Sequence, residues 1–228
     1  MKLIKLSKKQ NTTKKGLGYF EIYEKYFKEI RFKKLKILEI GVENGGSIRT
    51  WRRYFPRSKI VGLDIKKKDF NIKNVDLIQG DQSSSEVLNK LIKKYSAFDI
   101  IIDDGSHYTK HVIKSFKYLY KALKKEGLYI IEDLQTSYIP RYGGSRIRLN
   151  KKNTSMNYFK KLSDCVNYEH FNRPFYKKNK FDGLVKSVNF YQNIIFIRKG
   201  TTEKYYHSSD VKNTFIDFFK RIFSKFFN

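Results

Sequence analysis

One short stretch restricts the fold of this chain more than any other. The mostly apolar run 37–40 leads directly into a turn that contains Gly41, Gly45 and Gly46. A short run with β-branched residues suits a strand buried on both faces of a parallel sheet. The glycines lack a Cβ atom, so the backbone there can turn sharply and approach a ligand closely. Residues 47–55 then have the character of a helix, which completes the first half of a nucleotide-binding βαβ unit.

The next predicted strand carries the acidic residue that such a unit needs. In this kind of unit an acid about 20 residues further on binds the ribose hydroxyls. Asp64 directly follows the apolar run 60–63 and fits that position. The spacing Glu39-x-Gly41-x-x-x-Gly45 differs from the dinucleotide form G-x-G-x-x-G. The alternative is an ordinary strand-to-helix turn without a ligand.

Two further strands end in polar residues and extend the same pattern. The third strand begins at Val75 and ends before Asp81 and Gln82, although Asp81 could equally cap the next helix. The fourth delivers Asp103, Asp104 and His107, and the fifth delivers Glu132 and Asp133. In open α/β sheets, ligands bind at the carboxyl ends of the strands, so we expect these side chains to meet at one edge.

The sequence predicts an α/β fold with a mostly parallel, Rossmann-like sheet and an antiparallel closing hairpin. The hairpin comprises residues 185–191 and 193–198. With 228 residues, 40% of them hydrophobic, the chain suits one main domain. We divide it into a flexible basic arm (1–16), the main domain (17–200) and a basic amphipathic tail (201–228). The aromatic face of the tail could contact a membrane surface, a partner or its own domain.

Charge and cysteine content narrow the function classes. A net charge of +27 and a pI near 9.9 are typical of proteins that bind nucleic acid or an anionic membrane. The lysines are spread through every segment, however, and a compositional bias explains them equally well, so we do not expect nucleic acid as the partner. Cys165 is the single cysteine, which excludes an internal disulfide and a thiolate zinc cluster. No apolar segment approaches the ~18 residues of a membrane span, and we expect a cytoplasmic protein.

The four acids at the ends of the fourth and fifth strands would repel one another unless a cation or hydrogen-bond donors held them. Mg²⁺ is the simplest solution, because it prefers oxygen ligands and leaves positions open for substrate. His107 would then lie near the bound substrate, where an imidazole can accept a proton from a hydroxyl. A zinc pair of His107 and His111 is the alternative, but the glutamate of H-E-x-x-H is missing.

Several motifs together carry a resemblance to a known family. The glycine spacing resembles the first motif of class I S-adenosylmethionine-dependent methyltransferases. The segments Ile-Asp-Asp-Gly-Ser-His (102–107) and Glu-Asp-Leu-Gln-Thr-Ser-Tyr (132–138), with Gly45-Gly46-Ser47, Trp51 and Gly80-Asp81-Gln82, resemble the metal-dependent sugar O-methyltransferases of macrolide and rhamnosyl-antibiotic biosynthesis. They are also similar to the related cephalosporin-hydroxylase-like group. The resemblance covers about residues 14–144 and is weak beyond Gly144.

The resemblance implies roles for individual residues. Asp104, Glu132 and Asp133 would hold Mg²⁺, and His107 would be the general base. S-adenosyl-L-methionine would be bound by Glu39, Gly41, Gly45, Gly46, Ser47, Asp64, Asp81, Gln82 and Asp103. Tyr138 and Tyr142, in the long loop 135–150, would contact the acceptor. The implied reaction is methyl transfer to a sugar hydroxyl, with a bacterial surface glycan or its precursor as our expected acceptor.

Two other functions compete with this hypothesis. The charge favours an RNA methyltransferase, but no Asn/Asp-Pro-Pro-aromatic motif is present and Cys165 is outside any Pro-Cys motif. A non-catalytic protein of the same fold, which binds the cofactor or docks on a membrane, is the second alternative, and the intact acids and histidine argue against it. The sequence leaves the oligomeric state and the acceptor sugar open.

Overall fold

A computed structural model describes residues 2–8, 10–170, 177–201, 220 and 222–224. Its centre is a seven-stranded sheet with the strand order β3-β2-β1-β4-β5-β7-β6. The strands are β1 (Lys36–Ile40), β2 (Lys59–Asp64), β3 (Val75–Gln79), β4 (Phe98–Asp103), β5 (Leu123–Ile131), β6 (Val185–Tyr191) and β7 (Ile194–Lys199). Strands β1 to β5 are parallel, whereas β7 is antiparallel to both β5 and β6. The predicted fold class, including the closing hairpin, is confirmed.

Helices cover both faces of this sheet. They are α1 (Leu3–Ser7), α2 (Tyr19–Phe27), α3 (Gly46–Tyr54), α4 (Ser85–Tyr95), α5 (Thr109–Leu119), α6 (Ser155–Lys160) and α7 (Leu162–Val166). Short 3-10 helices are formed by Thr13–Lys15, Lys28–Ile30, Tyr120–Ala122, Leu134–Tyr138, Pro140–Tyr142 and Tyr168–His170. Helices α1 to α3 contribute to the apolar cluster on one face, and α4 to α7 contribute to the cluster on the other.

The central strands are buried on both faces because successive side chains point in opposite directions. In β1, Leu38 packs into one apolar cluster and Ile37 packs into the other. In β4, Ile101 belongs to the first cluster and Ile102 to the second. This burial explains why these strands appear in the sequence as nearly continuous apolar runs. It also fixes their register, so that their carboxyl ends form one edge.

The amino-terminal segment differs from the expected flexible arm. Leu3 is fully buried against α2 and α3, and its backbone N–H donates to Glu24 Oε2 at 2.6 Å. Lys14 is also buried, with 2% of its side chain exposed. Apolar contacts therefore hold α1 on the sheet domain, and ion pairs hold Lys14 there. The division of the chain at residues 16 and 17 stays a prediction.

The predicted tail lies mostly outside the described residues. Of positions 201–228, the structure describes Thr201, Lys220 and residues 222–224. The amphipathic helix and its contact with a membrane remain predictions. Within the described ranges, no helix combines the length and the apolar character that crossing a bilayer requires.

Candidate active site

The acidic residues of the predicted site meet at the carboxyl edge of the sheet. The backbone N–H of Asp104 donates to the carbonyl of Ile40 at 2.9 Å, immediately after β4. The backbone N–H of Glu132 donates to the carbonyl of Asp103 at 3.0 Å, immediately after β5. These bonds extend the parallel pairing of β1, β4 and β5 by one residue, which brings the acids of the neighbouring strands close together.

Three side chains form a group with the spacing of a metal site. Each of Asp104, His107 and Asp133 offers one ligand atom, and these atoms lie within 4.8 Å of one another. His107 Nε2 is 3.8 Å from Asp133 Oδ2, and both side chains are about one quarter exposed. The backbones of His107 and Asp133 have φ angles of +59° and +56°, in a region that non-glycine residues rarely occupy. Such conformations cost free energy and cluster at functional sites.

Hydrogen bonds fix the orientation of this group. The Tyr19 hydroxyl donates to Asp133 Oδ1 at 2.9 Å. Thr136 Oγ1 lies 2.7 Å from the Asp133 carbonyl and 3.4 Å from the His107 carbonyl, so that one hydroxyl joins the two loops. Carboxylate oxygens are the ligands that Mg²⁺ prefers, and the oxygens of Asp104 and Asp133 therefore fit this ion. An imidazole beside them remains available to accept a proton.

Glu132 lies beside this group, and its carboxylate binds Lys14. The ammonium group of Lys14 is 2.8 Å from both oxygens of Glu132, and the Tyr23 hydroxyl donates to Oε1 at 2.5 Å. Burial, followed by the negative charge of Asp104, raises the pKa of Glu132 above its usual range. The predicted ligand set included Glu132 and left His107 as the base. The structure groups His107 with the two aspartates and directs Glu132 to Lys14, and the role of Glu132 as a ligand stays a prediction.

Lys14 is the buried cation of the acidic edge. Its ammonium group binds Asp104 and Glu132 and lies 3.5 Å from Glu39 Oε1. Burial alone would lower the pKa of Lys14, but the three carboxylates hold it well above its ordinary value. Lys14 therefore remains charged and compensates part of the negative charge at this edge.

The glycine turn connects the acidic edge to helix α3. Gly41 has a φ of +85°, and a Cβ atom there would lie 2.0 Å from the carbonyl oxygen of Asp104. A Cβ atom at Gly46 would lie 1.8 Å from the carbonyl oxygen of Asn11. Only glycine fits both positions, because the backbone of another segment passes directly against each of them.

Glu39 and Ser47, predicted to bind the cofactor, contact each other. Ser47 Oγ donates to Glu39 Oε2 at 2.9 Å, and Trp51 Nε1 donates to Oε1 at 3.1 Å. Burial raises the pKa of Glu39, although Lys14 opposes that shift. Glu39 is fully buried, whereas Ser47 lines a cavity. Glu39 thus ties the start of α3 to β1 in this structure.

Asp64 occupies the place predicted for a ribose-binding acid. Its Oδ2 accepts the backbone N–H groups of Val42 and Glu43 at 2.9 and 3.0 Å, and Lys68 Nζ lies at 2.9 Å. Partial burial alone would raise the pKa of Asp64, but these hydrogen bonds and that of Lys66 lower it. The carboxylate is therefore charged and faces the cavity at the end of β2.

Asp81 and Gln82 follow β3, and the side chain of Gln82 contacts Asp103 at the end of β4. Gln82 Nε2 donates to Asp103 Oδ1 at 3.0 Å, and Gln82 Oε1 accepts the backbone N–H of Ser106 at 2.6 Å. Asp103 also accepts from Ser115 Oγ at 2.6 Å, and burial raises its pKa. Asp81 accepts from both the backbone and the side chain of Ser83 in the turn before α4, whose N-cap is Ser84. Asp81 and Gln82 line a cavity, while Asp103 orients Gln82.

Two adjoining cavities run along this edge. The larger, of about 520 Å³, is lined by the amino-terminal segment 11–14, the glycine turn, Asp64, Asp104, His107 and Asp133. The smaller, of about 290 Å³, lies beside Asp81, Gln82 and His111. Gly41, Asp64, Ile65 and Gly105 line both. The two cavities together form one continuous depression from Gln82 to the acids at the ends of β4 and β5.

The two tyrosines predicted to contact the acceptor lie in different places. The Tyr142 ring is 6.4 Å from the His107 ring and 5.4 Å from the Tyr108 ring, measured between centroids. Tyr138 ends the 3-10 helix Leu134–Tyr138 and, within the part of the chain that the structure describes, lines neither cavity.

The predicted zinc alternative, a pair of His107 and His111, finds no support among the described residues. His111 Nδ1 pairs with Ser106 Oγ, and His111 lies outside the group of Asp104, His107 and Asp133.

Sequence reasoning gave no role at this edge to three residues: Lys14, Tyr23 and Thr136. Lys14 lies in a basic stretch without periodicity, which gives no sign that one lysine is buried. Tyr23 recurs with apolar residues at helical spacing, which is typical of core packing, whereas the sequence allows Tyr19 a contact with a ligand. The four-residue spacing of Tyr19 and Tyr23 places both hydroxyls on one helix face, where they reach Asp133 and Glu132.

Comparisons with known proteins identify the family. No family model matches the chain. Mycinamicin VI 2''-O-methyltransferase from Micromonospora griseorubida is 35% identical over 191 residues, which cover 80% of this chain and 48% of that protein. The 8-demethyl-8-(2-methoxy-alpha-L-rhamnosyl)-tetracenomycin-C 3'-O-methyltransferase from Streptomyces olivaceus is 32% identical over 207 residues, which cover 86% of this chain and 53% of that protein.

A solved structure agrees with these relatives. MycE, a methyltransferase from the mycinamycin biosynthetic pathway in complex with Mg, SAH and mycinamycin VI, matches with a TM-score of 0.84 and 34% identity, over 90% of this chain and 55% of that chain. The chain therefore spans about half the length of the relatives that it matches. The predicted resemblance is confirmed: the chain has the fold of class I S-adenosylmethionine-dependent methyltransferases and is a homologue of the sugar O-methyltransferases of macrolide and tetracenomycin biosynthesis.

Proposed function

We propose that this protein is a Mg²⁺-assisted O-methyltransferase that transfers the methyl group of S-adenosyl-L-methionine to a sugar hydroxyl. The observation that carries the proposal is the group of Asp104, His107 and Asp133 at the rim of the larger cavity. It combines oxygen ligands for a cation with an imidazole for proton transfer. Homology to proteins named for sugar O-methylation supports the same reaction.

The cofactor would occupy the two adjoining cavities. Asp64 would accept hydrogen bonds from the ribose hydroxyls, and the smaller cavity beside Asp81 and Gln82 would take the adenine. The glycine turn would lie against the remainder of the molecule. This orientation directs the sulfonium methyl group toward the acidic edge.

His107 would act as the general base. When the acceptor oxygen takes the methyl carbon and the carbon–sulfur bond breaks, the hydroxyl proton would pass to His107 Nε2. Asp133, 3.8 Å from that nitrogen, would stabilise the imidazolium that forms. Bound Mg²⁺, held by Asp104 and Asp133 and by Glu132 as the predicted third ligand, would make the hydroxyl more acidic.

The proposal also specifies the class of acceptor. We propose a sugar of a bacterial surface glycan or its precursor, made in the cytoplasm, and contact with the inner membrane face through the predicted basic tail 201–228. Half-buried Tyr142, beside His107, would contact the sugar. Glycans and nucleotide sugars from cells with and without the gene would be compared by mass spectrometry. Loss of one methyl group from a single glycan supports this acceptor, and identical glycans contradict it.

The reaction itself is tested with purified protein. The protein is incubated with S-adenosyl-L-methionine, Mg²⁺ and a panel of nucleotide sugars, and methylated products are detected by mass spectrometry. We expect methylation of at least one sugar, which chelation with EDTA abolishes and added Mg²⁺ restores. Product formation that is insensitive to EDTA would contradict the role of the metal, and methylation of RNA instead would contradict the substrate class.

A further inference from the structure

The amino-terminal segment carries a buried lysine to the centre of the acidic edge. Lys14 lies in the 3-10 helix Thr13–Lys15, and the side chain of Thr12 accepts its backbone N–H. Its ammonium group contacts carboxylates from three adjacent strands: Glu39 within β1, Asp104 after β4 and Glu132 after β5. One side chain thus joins the amino-terminal segment to three strands of the sheet.

The same segment forms one side of the larger cavity. Asn11, Thr12, Thr13 and Lys14 all line it, opposite Asp64 and Lys68. The backbone of Asn11 lies directly on the glycine turn, where a Cβ atom at Gly46 would approach its carbonyl oxygen to 1.8 Å. The segment therefore covers the turn against which a nucleoside cofactor would bind.

Lys14 is the one buried residue among residues 11–14. Asn11, Thr13 and the neighbouring Lys15 are exposed, and Leu3, which packs in an apolar cluster, lies in α1. All three ionic partners of Lys14 are acids of the candidate site. These ion pairs connect this side of the cavity to three strands of the sheet.

We propose that Lys14 is a positioning residue that holds the segment 11–14 against the glycine turn and so completes the binding cavity for the nucleoside cofactor. The inference rests on the proposed function for the identity of the cofactor. It predicts that loss of the ammonium group opens this side of the cavity and weakens cofactor binding, with the sheet itself unchanged.

The test compares Lys14→Met with Lys15→Met in the full chain. Methionine keeps a long side chain but lacks the charge, and Lys15 is the exposed neighbour. Binding of S-adenosylhomocysteine is measured by calorimetry at saturating Mg²⁺, and amide hydrogen exchange is followed by mass spectrometry. For Lys14→Met we expect at least about tenfold weaker binding and faster exchange at residues 11–15, with unchanged exchange in the β6–β7 hairpin. Lys15→Met should behave as wild type, and Lys14→Arg should bind better than Lys14→Met.

A second variant keeps the test decisive if Lys14→Met does not fold, since that change leaves buried carboxylates without their cation. Gly46→Ala displaces the segment sterically and leaves Lys14 and its partners intact. We expect faster exchange at 11–15 and weaker binding in this variant as well. Unchanged affinity in the folded variants, or weaker binding without a local change in exchange, would overturn the inference. Failure of the wild-type protein to bind S-adenosylhomocysteine would instead overturn the cofactor of the proposed function.

Discussion

The acidic residues at the two ends of the central sheet differ in how they are paired with cations. At the amino end, acids are paired with lysines near the surface: Asp99 lies 2.9 Å from Lys124, and Asp76 binds Lys59. At the carboxyl end, Glu39, Asp104 and Glu132 share one buried lysine, Lys14, and Asp133 lies next to them. The chain carries 49 Lys and Arg residues against 22 Asp and Glu residues, so an excess of acid at one edge stands against its overall composition.

This difference separates structural charges from functional ones. Exposed ion pairs contribute at most about 1 kcal/mol and are screened by salt. Buried carboxylates that outnumber their cations cost free energy unless a ligand compensates them. The carboxyl edge therefore has the negative charge of a site that binds a cation. At the amino edge, Asp76 and Asp99 each already have a lysine partner.

The largest expected effect comes from the imidazole at the carboxyl edge. His107→Ala should reduce methyl transfer by about a hundredfold or more, the usual contribution of a general base, because no other group would accept the hydroxyl proton. Binding of S-adenosylhomocysteine, measured by calorimetry, should be retained. Lys110→Ala, an exposed change nearby, serves as the control. Near-normal turnover in His107→Ala would remove this residue from the role of base.

A comparison of one acid from each end tests the difference directly. Glu132→Gln should lower the free energy of unfolding by about 1–3 kcal/mol, because the amide nitrogen that replaces one carboxylate oxygen would face the donor groups of Lys14 or Tyr23 in a buried place. Asp99→Asn should cost less than about 1 kcal/mol, because its pair with Lys124 is partly exposed. Urea denaturation of both variants measures the two values. Equal losses would mean that the ends are not energetically distinct.

The hydroxyl that joins the two strained loops offers a sharper test. Thr136→Val removes its hydrogen bond with almost no change of shape, and should cost about 1 kcal/mol of stability. Methyl transfer should fall severalfold, because Asp133 and His107 lose their common contact. Thr154→Val is the control for stability, since Thr154 is also buried and its hydroxyl caps α6. A similar loss of transfer in both variants would show a general effect of stability.

The smallest effect is expected at Asp76, and it depends on pH. Partial burial alone would raise the pKa of Asp76, but hydrogen bonds from Lys59 and Tyr95 lower it. An acid whose pKa is lowered by folding stabilises the protein above its unfolded pKa of about 3.9, and this contribution is lost as the pH falls. Asp76→Asn should therefore cost less than about 1 kcal/mol near neutral pH and almost nothing near pH 2. A cost that grows toward low pH would contradict this assignment.

The fold was predictable because its signals are local. Apolar runs and glycines marked β1, β2 and the turn between them, and the polar residues after β4 and β5 marked the edge where ligands bind. The closing hairpin was equally clear, with Asn193 in a left-handed conformation at its turn. Each of these features depends on neighbours in the sequence.

The contacts within the site were less predictable, because they depend on residues far apart in the chain. Lys14 reaches Glu132 across 118 positions, and no pattern around Lys14 indicates burial. Asp103 and Glu39 bind Gln82, Ser47 and Trp51, contacts that the sequence did not indicate, and their role in binding the cofactor stays a prediction. An acid at a strand end is visible in the sequence, whereas the direction of its side chain is set by tertiary packing.

We propose above all that Asp104 and Asp133 share one divalent ion beside a bound nucleoside. The decisive experiment is a crystal structure of the protein with Mn²⁺ and S-adenosylhomocysteine, since Mn²⁺ replaces Mg²⁺ and is located by anomalous scattering. We expect a single anomalous peak in contact with oxygens of both aspartates, at a distance of about 2 Å, with the nucleoside along Asp64. Asp104 and Asp133 facing solvent, with the ion and the nucleoside bound elsewhere, would contradict it.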